Sequence, residues 1–156
     1  CRDPLCVDAC PTGATQQRED GIVWVDPDNC IGCRSCVMAC PYQVRVMNEK
    51  PREYFPGQGM TPYEEMREKL YPLQEGTPSK CNFCMERIDD GLDSGLKPGA
   101  DRDATPACVN ACPASARIFG DLDDPFSEVF TARSVGKGYQ LRPEANTDPC
   151  VYYVTR

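Results

Sequence analysis

CIGCRSCVMACP, residues 30–41, places four cysteines at intervals of three, three and four residues and ends on a proline. Two residues between successive cysteines let a short loop curl with its thiols on the inner side. The last two cysteines lie on one face of a helical turn. Pro41 ends that turn because proline cannot continue a helix. The run therefore predicts a compact loop whose closely spaced thiols point inward.

The end of this run recurs twice in the chain. Residues 6–11, 36–41 and 108–113 all read Cys-Val-x-Ala-Cys-Pro, with one variable position. Cys1 precedes the first copy, and Cys81 and Cys84 precede the third at a longer distance. A repeat of this kind predicts one structural unit used several times.

The run at 30–40 has the bacterial ferredoxin spacing C-x2-C-x2-C-x3-C-P. In that pattern three cysteines bind one [4Fe-4S] cluster and the fourth binds a neighbouring cluster. Backbone N–H groups in such a loop are free to bond the cluster sulfurs. The sequence predicts no catalytic residue. The predicted cluster ligands, which are also the predicted metal-binding residues, are Cys1, Cys6, Cys10, Cys30, Cys33, Cys36, Cys40, Cys81, Cys84, Cys108 and Cys112.

Composition excludes several function classes. The chain has no histidine, which removes Ser-His-Asp and Cys-His catalysis, Rieske clusters, His-ligated haem and mixed Cys/His zinc sites. Its 24 acidic and 17 basic residues give a net charge of −7, the wrong sign for nucleic acid. Its longest apolar stretches, such as 22–25 and 151–154, are far too short to span a bilayer.

Three other uses of cysteine stay open at this point. A disulfide framework would use an even number of cysteines in an oxidising compartment. A four-cysteine zinc site suits the cysteines at 81–112, and such a module would bind protein partners. Cys150 lies outside every run and is predicted to be an isolated buried cysteine.

The predicted fold class is α+β: a ferredoxin-like polyferredoxin with paired cluster-binding loops, short hairpins and helices, long insertions and an extended C-terminal tail. Its predicted segments are 1–50, a ferredoxin-like module; 51–80, an insertion with a short helix; 81–120, a second cluster-binding segment; and 121–156, a helix and extended tail.

Local patterns predict the elements. The Asp20-Gly21 pair predicts a hairpin of strands 15–18 and 22–25. Thr61-Pro62-Tyr63-Glu64 is a capping-box start that predicts a helix from Pro62, at the first helical position, to about Tyr71. Asp124-Pro125 predicts a helix to about residue 131. The stretch 85–107 is rich in Gly, Asp and Lys and predicts an exposed loop, while 132–156 predicts an extended tail.

Taken in order, these features resemble the four-cluster iron–sulfur subunits of the DMSO reductase, or complex iron–sulfur molybdoenzyme, family. The resemblance covers most of the chain and rests on CRDPLCVDACPTGA at 1–14, REDG at 18–21, CIGCRSCVMACPY at 30–42, KCNFC at 80–84, the copy at 108–113, FGD at 119–121 and VYY at 151–153.

The resemblance implies a non-catalytic electron-transfer subunit. Its row of [4Fe-4S] clusters would link a molybdenum or tungsten catalytic subunit to a membrane quinone subunit or another carrier. The chain would be peripheral on the membrane through these partners, on its cytoplasmic or periplasmic side. All four ligands of the run at 30–40 are cysteine, so no [3Fe-4S] centre is expected there.

The resemblance also implies a ligand set for each cluster. Cys10, Cys30, Cys33 and Cys36 hold one; Cys1, Cys6 and Cys40 belong to a second; Cys81, Cys84 and Cys108 belong to a third; Cys112 belongs to a fourth. The interval between Cys84 and Cys108 is longer than is usual in these subunits. One cysteine group of the family is missing, so the chain is expected to be an N-terminally truncated fragment. It would fully ligate about one of the four clusters of the intact protein.

Overall fold

The computed structural model describes residues 1–49 and 53–155 and divides into two compact units. The N-terminal unit consists of Leu5–Gln17 and Val23–Lys80, and the C-terminal unit of Cys1–Pro4, Arg18–Ile22 and Cys81–Arg156. The four segments that the sequence predicts stay a prediction, and the boundary between the first two lies outside the described residues.

The N-terminal unit contains short helices and two small antiparallel sheets. β1 pairs with β2, with Thr15 opposite Val25 and Gln17 opposite Val23, and β3 pairs with β4. The mixture of helix and small sheets agrees with the predicted α+β class. The elements of this unit are α1 (Leu5–Asp8), β1 (Thr15–Gln17), β2 (Val23–Val25), α2 (Ser35–Ala39), β3 (Val46–Met47), α3 (Pro62–Leu70) and β4 (Pro78–Ser79).

The predicted hairpin is confirmed, with each strand one residue shorter than expected. In the turn, the Gly21 N–H donates to the Arg18 carbonyl and the Arg18 N–H to the Ile22 carbonyl, each at 2.9 Å. Gly21 has a φ of 82°, a conformation that glycine adopts without steric penalty. A three-residue loop with glycine in this position matches the right-handed twist of the strands.

The predicted capping box at the start of α3 is also confirmed. The Glu64 N–H donates to the Thr61 hydroxyl at 3.3 Å, and the Thr61 N–H donates to the Glu64 carboxylate at 2.7 Å. The same carboxylate accepts the Tyr54 N–H at 2.8 Å. These hydrogen bonds hold the pKa of Glu64 below its ordinary value, with the bond to Thr61 as the main cause.

We expect Thr61→Ala to weaken the first turn of α3 by about 1 kcal/mol, because the Glu64 N–H then loses its acceptor. Hydrogen exchange of the α3 amides measures this, and exchange should quicken at the N-terminal turn. Tyr63→Ala is the matched control, since that side chain is 80% exposed on the same helix. Equal exchange in the two variants would contradict the role of the cap.

The C-terminal unit is richer in helix than the sequence predicts. Its elements are α4 (Met85–Asp93), a 3-10 helix (Arg102–Ala104), α5 (Ala107–Asn110), α6 (Glu128–Val135) and a second 3-10 helix (Pro143–Ala145). The predicted exposed loop over 85–107 is therefore wrong, because α4, the first 3-10 helix and the start of α5 occupy most of it.

Close backbone packing explains this error. Gly91 lies against the first 3-10 helix so tightly that a Cβ on it would stand 2.4 Å from the Ala104 Cβ. Ile88 and Ala104 are buried, and the Arg87 guanidinium donates to the Thr105 carbonyl at 2.8 Å. The sequence alone does not distinguish a glycine that permits close packing from a glycine in a loop.

The helix predicted to open at Asp124-Pro125 and run to about Thr131 exists, but it begins three residues later and ends about four residues later. Asp124 caps a turn by accepting the Phe126 N–H at 2.9 Å, whereas Ser127 caps α6 by accepting the Phe130 N–H at 3.1 Å. The predicted extended tail is wrong as well, because the chain folds back on itself. Tyr139 and Tyr153 exchange two backbone hydrogen bonds of 2.9 Å.

No helix within residues 1–49 and 53–155 has the length and apolar character needed to cross a membrane.

Candidate iron-sulfur cluster sites

The three copies of the repeated hexapeptide fold into the same turn. Each copy carries a short helix that includes its first cysteine, namely α1, α2 and α5. Three residues after its second cysteine, each copy has a backbone with positive φ. These residues are Gly13 at 70°, Gln43 at 54° and Ser115 at 47°. Their N–H groups donate to the carbonyls of Cys10, Cys40 and Cys112 at 3.2–3.3 Å.

The residue with positive φ turns the backbone, so that an N–H group of a following residue points back to the sulfur of the second cysteine in the copy. The Thr15 N–H donates to the Cys10 sulfur at 3.4 Å, and the Ala116 N–H donates to the Cys112 sulfur at 3.3 Å. Sequence reasoning missed the turn, because only Gly13 among the three left-handed residues signals it.

The loop that carries Cys81 and Cys84 has a different backbone conformation. Phe83 and Cys84 both have positive φ, at 59° and 54°. The Phe83 N–H donates to the Cys81 sulfur at 3.4 Å, and the Cys84 N–H donates to the Asn82 side chain at 3.1 Å. The loop thus turns sharply into α4 and presents a backbone donor to a predicted ligand.

The N-terminal unit brings the first two cysteine runs together. α1 packs against α2, so the helix that carries Cys6 lies beside the helix that carries Cys36. Hydrogen bonds with Ser35 have the largest effect on Cys33 and lower its pKa, and the charge of Cys10, from the other run, has a smaller raising effect. Cys36 is buried. The structure therefore assembles cysteines of both runs in one unit, while the ligand sets themselves stay a prediction.

Local hydrogen bonds favour the thiolate form at three predicted ligands. Burial raises the pKa of Cys10, but hydrogen bonds from Thr15 and Thr12 outweigh it and lower that pKa to about 7. Interactions with Ser35 lower the pKa of Cys33, and the Ala116 N–H lowers that of Cys112. Because a thiolate is the form that binds metal, these surroundings favour metal ligation.

Backbone donors to cysteine sulfurs are the feature of these sites that fits an iron–sulfur cluster. All twelve lie in the described part of the chain, and none forms a disulfide. Among residues 1–49 and 53–155, no three Cys, Asp or Glu side chains converge closely enough to hold one metal ion. Backbone N–H donors to sulfur, which Cys10, Cys81 and Cys112 each have, are typical of cluster sites.

Two cysteines lie apart from these turns. Cys1 is half-buried in the C-terminal unit. Cys150 is half-buried rather than buried, which corrects the prediction.

One residue that sequence reasoning missed lies beside a predicted ligand. Arg45 is only 4% exposed, and its Nη2 donates to the Cys6 sulfur at 3.1 Å. The available signal was an arginine between Val44 and Val46, just after a cysteine run.

The turns, the donors to sulfur and the pairing of α1 with α2 define an iron–sulfur protein of the ferredoxin type. Residues 1–59 match the family described as 4Fe-4S dicluster domain, which supports [4Fe-4S] as the cofactor.

Similar proteins indicate more specifically which family of iron–sulfur proteins the chain resembles. A protein of Halobacterium salinarum, named as an iron–sulfur subunit of dimethyl sulfoxide reductase, is 43% identical, over 99% of this chain and 52% of its own length. A sulfite dehydrogenase subunit of Allochromatium vinosum is 41% identical, over 100% of this chain and 53% of its own. The arsenate respiratory reductase iron–sulfur subunit of a Shewanella species is 37% identical, over 99% of this chain and 71% of its own length.

The chain belongs to the family of iron–sulfur subunits of DMSO reductase-type oxidoreductases, as its motifs predict. It spans about half the length of the first two relatives. These comparisons favour the iron–sulfur interpretation over the zinc module.

Proposed function

We propose that the chain is a non-catalytic relay, which passes single electrons between a molybdenum or tungsten catalytic subunit and a membrane quinone subunit or other carrier. The observation that carries this proposal is the packing of α1 against α2, which gathers thiols of two cysteine runs in one unit. When bound, [4Fe-4S] clusters supply one-electron chemistry that needs no acid–base group.

The proposed ligands of one complete cluster all lie in the N-terminal unit. They are Cys10, Cys30, Cys33 and Cys36. Cys1, Cys6 and Cys40 serve a second cluster, Cys81, Cys84 and Cys108 a third, and Cys112 a fourth, in a polyferredoxin arrangement. The charge of Cys10 acts on Cys33, a smaller effect than that of Ser35, and this supports the first set because the two residues come from different runs.

Exposure of some predicted ligands suits exchange of electrons with other proteins. Cys33, Cys81 and Cys108 are exposed, so a partner could approach near the proposed clusters. The acidic surface, with a net charge of −7, suits docking to a protein rather than to nucleic acid. Segments 85–107 and 132–156 hold no proposed ligand, and we assign them to partner contacts.

Names of further relatives bear on the partners. One relative is named as an iron–sulfur subunit of a menaquinol oxidoreductase and another as the cluster-binding subunit of a menaquinone reductase. We therefore place this chain at the membrane surface, held there by partner subunits, with a quinone-reactive protein among them.

Anaerobic purification of the tagged chain from its native cell tests the proposal. We expect iron, acid-labile sulfide and visible absorption, copurification of a molybdenum- or tungsten-containing subunit, and reoxidation of the reduced clusters by the substrate of that subunit. Cys150→Ser is the control, since it lies outside the runs and should retain all iron. A colourless protein containing zinc would instead establish the alternative, a cysteine-zinc module that binds protein partners.

A further inference from the structure

Arg45 is a buried cation whose hydrogen bonds are incomplete. It follows the second cysteine run and is only 4% exposed. Its Nη2 donates to the Cys6 sulfur at 3.1 Å. Its Nε and Nη1 are also buried, and neither has a hydrogen-bond partner within residues 1–49 and 53–155.

Such an arrangement is unfavourable unless an anion completes it. A guanidinium stays charged in proteins and carries five donors in a rigid fork. Burying it with donors unsatisfied is costly, because water is lost and nothing replaces it. The ion pairs found among the described residues include no carboxylate partner for Arg45.

Other charged groups of the protein show that this is not the general pattern. Arg18 pairs with Asp20 at 3.0 Å and with Asp89 at 2.8 Å. The buried Glu64 carboxylate accepts two backbone N–H groups. Arg45, by contrast, donates to a predicted cluster ligand.

We infer that Arg45 is a positioning residue for the cluster that Cys6 helps to hold, and that it sets the reduction potential of that cluster. Nη2 orients the Cys6 thiolate, and sulfur atoms of a bound cluster would satisfy the remaining donors. One-electron reduction adds one negative charge to the cluster, and the fixed positive charge of Arg45 stabilises that state. The electron comes from the partner carrier, and Arg45 neither gains nor loses a proton. This inference rests on the proposed role of Cys6 as a ligand.

The test is a redox titration of the purified complex, followed by electron paramagnetic resonance. Arg45→Met removes the charge with much of the side-chain volume kept, and Arg45→Lys keeps the charge but loses the fork. Arg67→Met is the matched control, because it removes one positive charge from an exposed site of the same unit. Cys6→Ser identifies which signal belongs to the Cys6 cluster.

We expect Arg45→Met to lower the equilibrium constant for reduction of that cluster at least tenfold, a shift of about 59 mV to more negative potential. The shift should persist at high salt, because a buried charge is poorly screened. Arg45→Lys should shift the reduction potential less, and Arg67→Met should leave the potential unchanged. Selective loss of that one signal in Arg45→Met, with recovery in Arg45→Lys, would also support the role.

Two results would overturn the inference. One is an unchanged potential in Arg45→Met with full iron content. The other is loss of every cluster signal in both Arg45 variants, which would show a purely structural role. If Cys6→Ser removes no signal, the proposed ligand assignment fails instead, and the two failures are thus distinguishable.

Discussion

Cys10→Ser and Cys33→Ser should each abolish the same signal in the electron paramagnetic resonance spectrum of the reduced protein. The two residues belong to different runs, separated by the hairpin of β1 and β2. They are nevertheless predicted to share one cubane, because the last cysteine of a run serves the cluster of its neighbour. The electrostatic influence of Cys10 on Cys33 agrees with that proximity.

The comparison depends on identifying each signal separately. Cys40→Ser should remove a different signal, since Cys40 is assigned to the second cluster. Cys150→Ser should remove none. Iron content should fall by about four atoms per chain in both Cys10→Ser and Cys33→Ser. Loss of two different signals in those two variants would contradict the pairing.

Gly32→Ala should prevent assembly of that same cluster without removing any ligand. Gly32 lies between Cys30 and Cys33 and has a φ of 68°. A Cβ on it would stand 2.6 Å from the Gly76 carbonyl oxygen, closer than such contacts allow. The left-handed conformation alone is unfavourable for alanine by about 1–2 kcal/mol. Relief of the contact requires the cysteine loop to move, and its thiols move with it.

Gly76→Ala is the matched control for this effect. Gly76 also has a positive φ, of 80°, but a Cβ there would meet nothing within 4 Å. It therefore carries the conformational penalty without the clash. We expect Gly76→Ala to retain its iron and all signals, whereas Gly32→Ala loses about four iron atoms per chain. Equal iron content in the two variants would show that the clash does not govern cluster binding.

Features specified by neighbours in sequence were predictable. The hairpin depends on Asp20-Gly21 and the start of α3 on the Thr61–Glu64 box, and in both cases all the interacting groups lie within a few residues. The cysteine spacing belongs to the same class, because one short loop must curl around one cluster. The family and its cofactor could be inferred from that spacing for the same reason.

Features that depend on distant partners were not predictable. Met85, Ile88 and Leu92 recur at helical spacing, but the glycines and charged residues of 85–107 are equally typical of a loop. The order of the segment depends on Gly91 meeting Ala104 and on Arg87 reaching the Thr105 carbonyl. The C-terminal segment folds back on itself through the backbone pairing of Tyr139 with Tyr153. Each of these contacts joins residues that no local pattern connects.

The amino-acid sequence by itself determined the chemistry of this protein, because thiol spacing and the lack of histidine are local properties that limit which cofactor can bind. Only the tertiary structure decided which cysteine-bearing elements pack together and what surrounds their thiols. The pairing of α1 with α2 and the burial of Arg45 beside Cys6 are examples. The physical reason is that burial and charge interactions depend on distance in space, which spacing along the chain does not report.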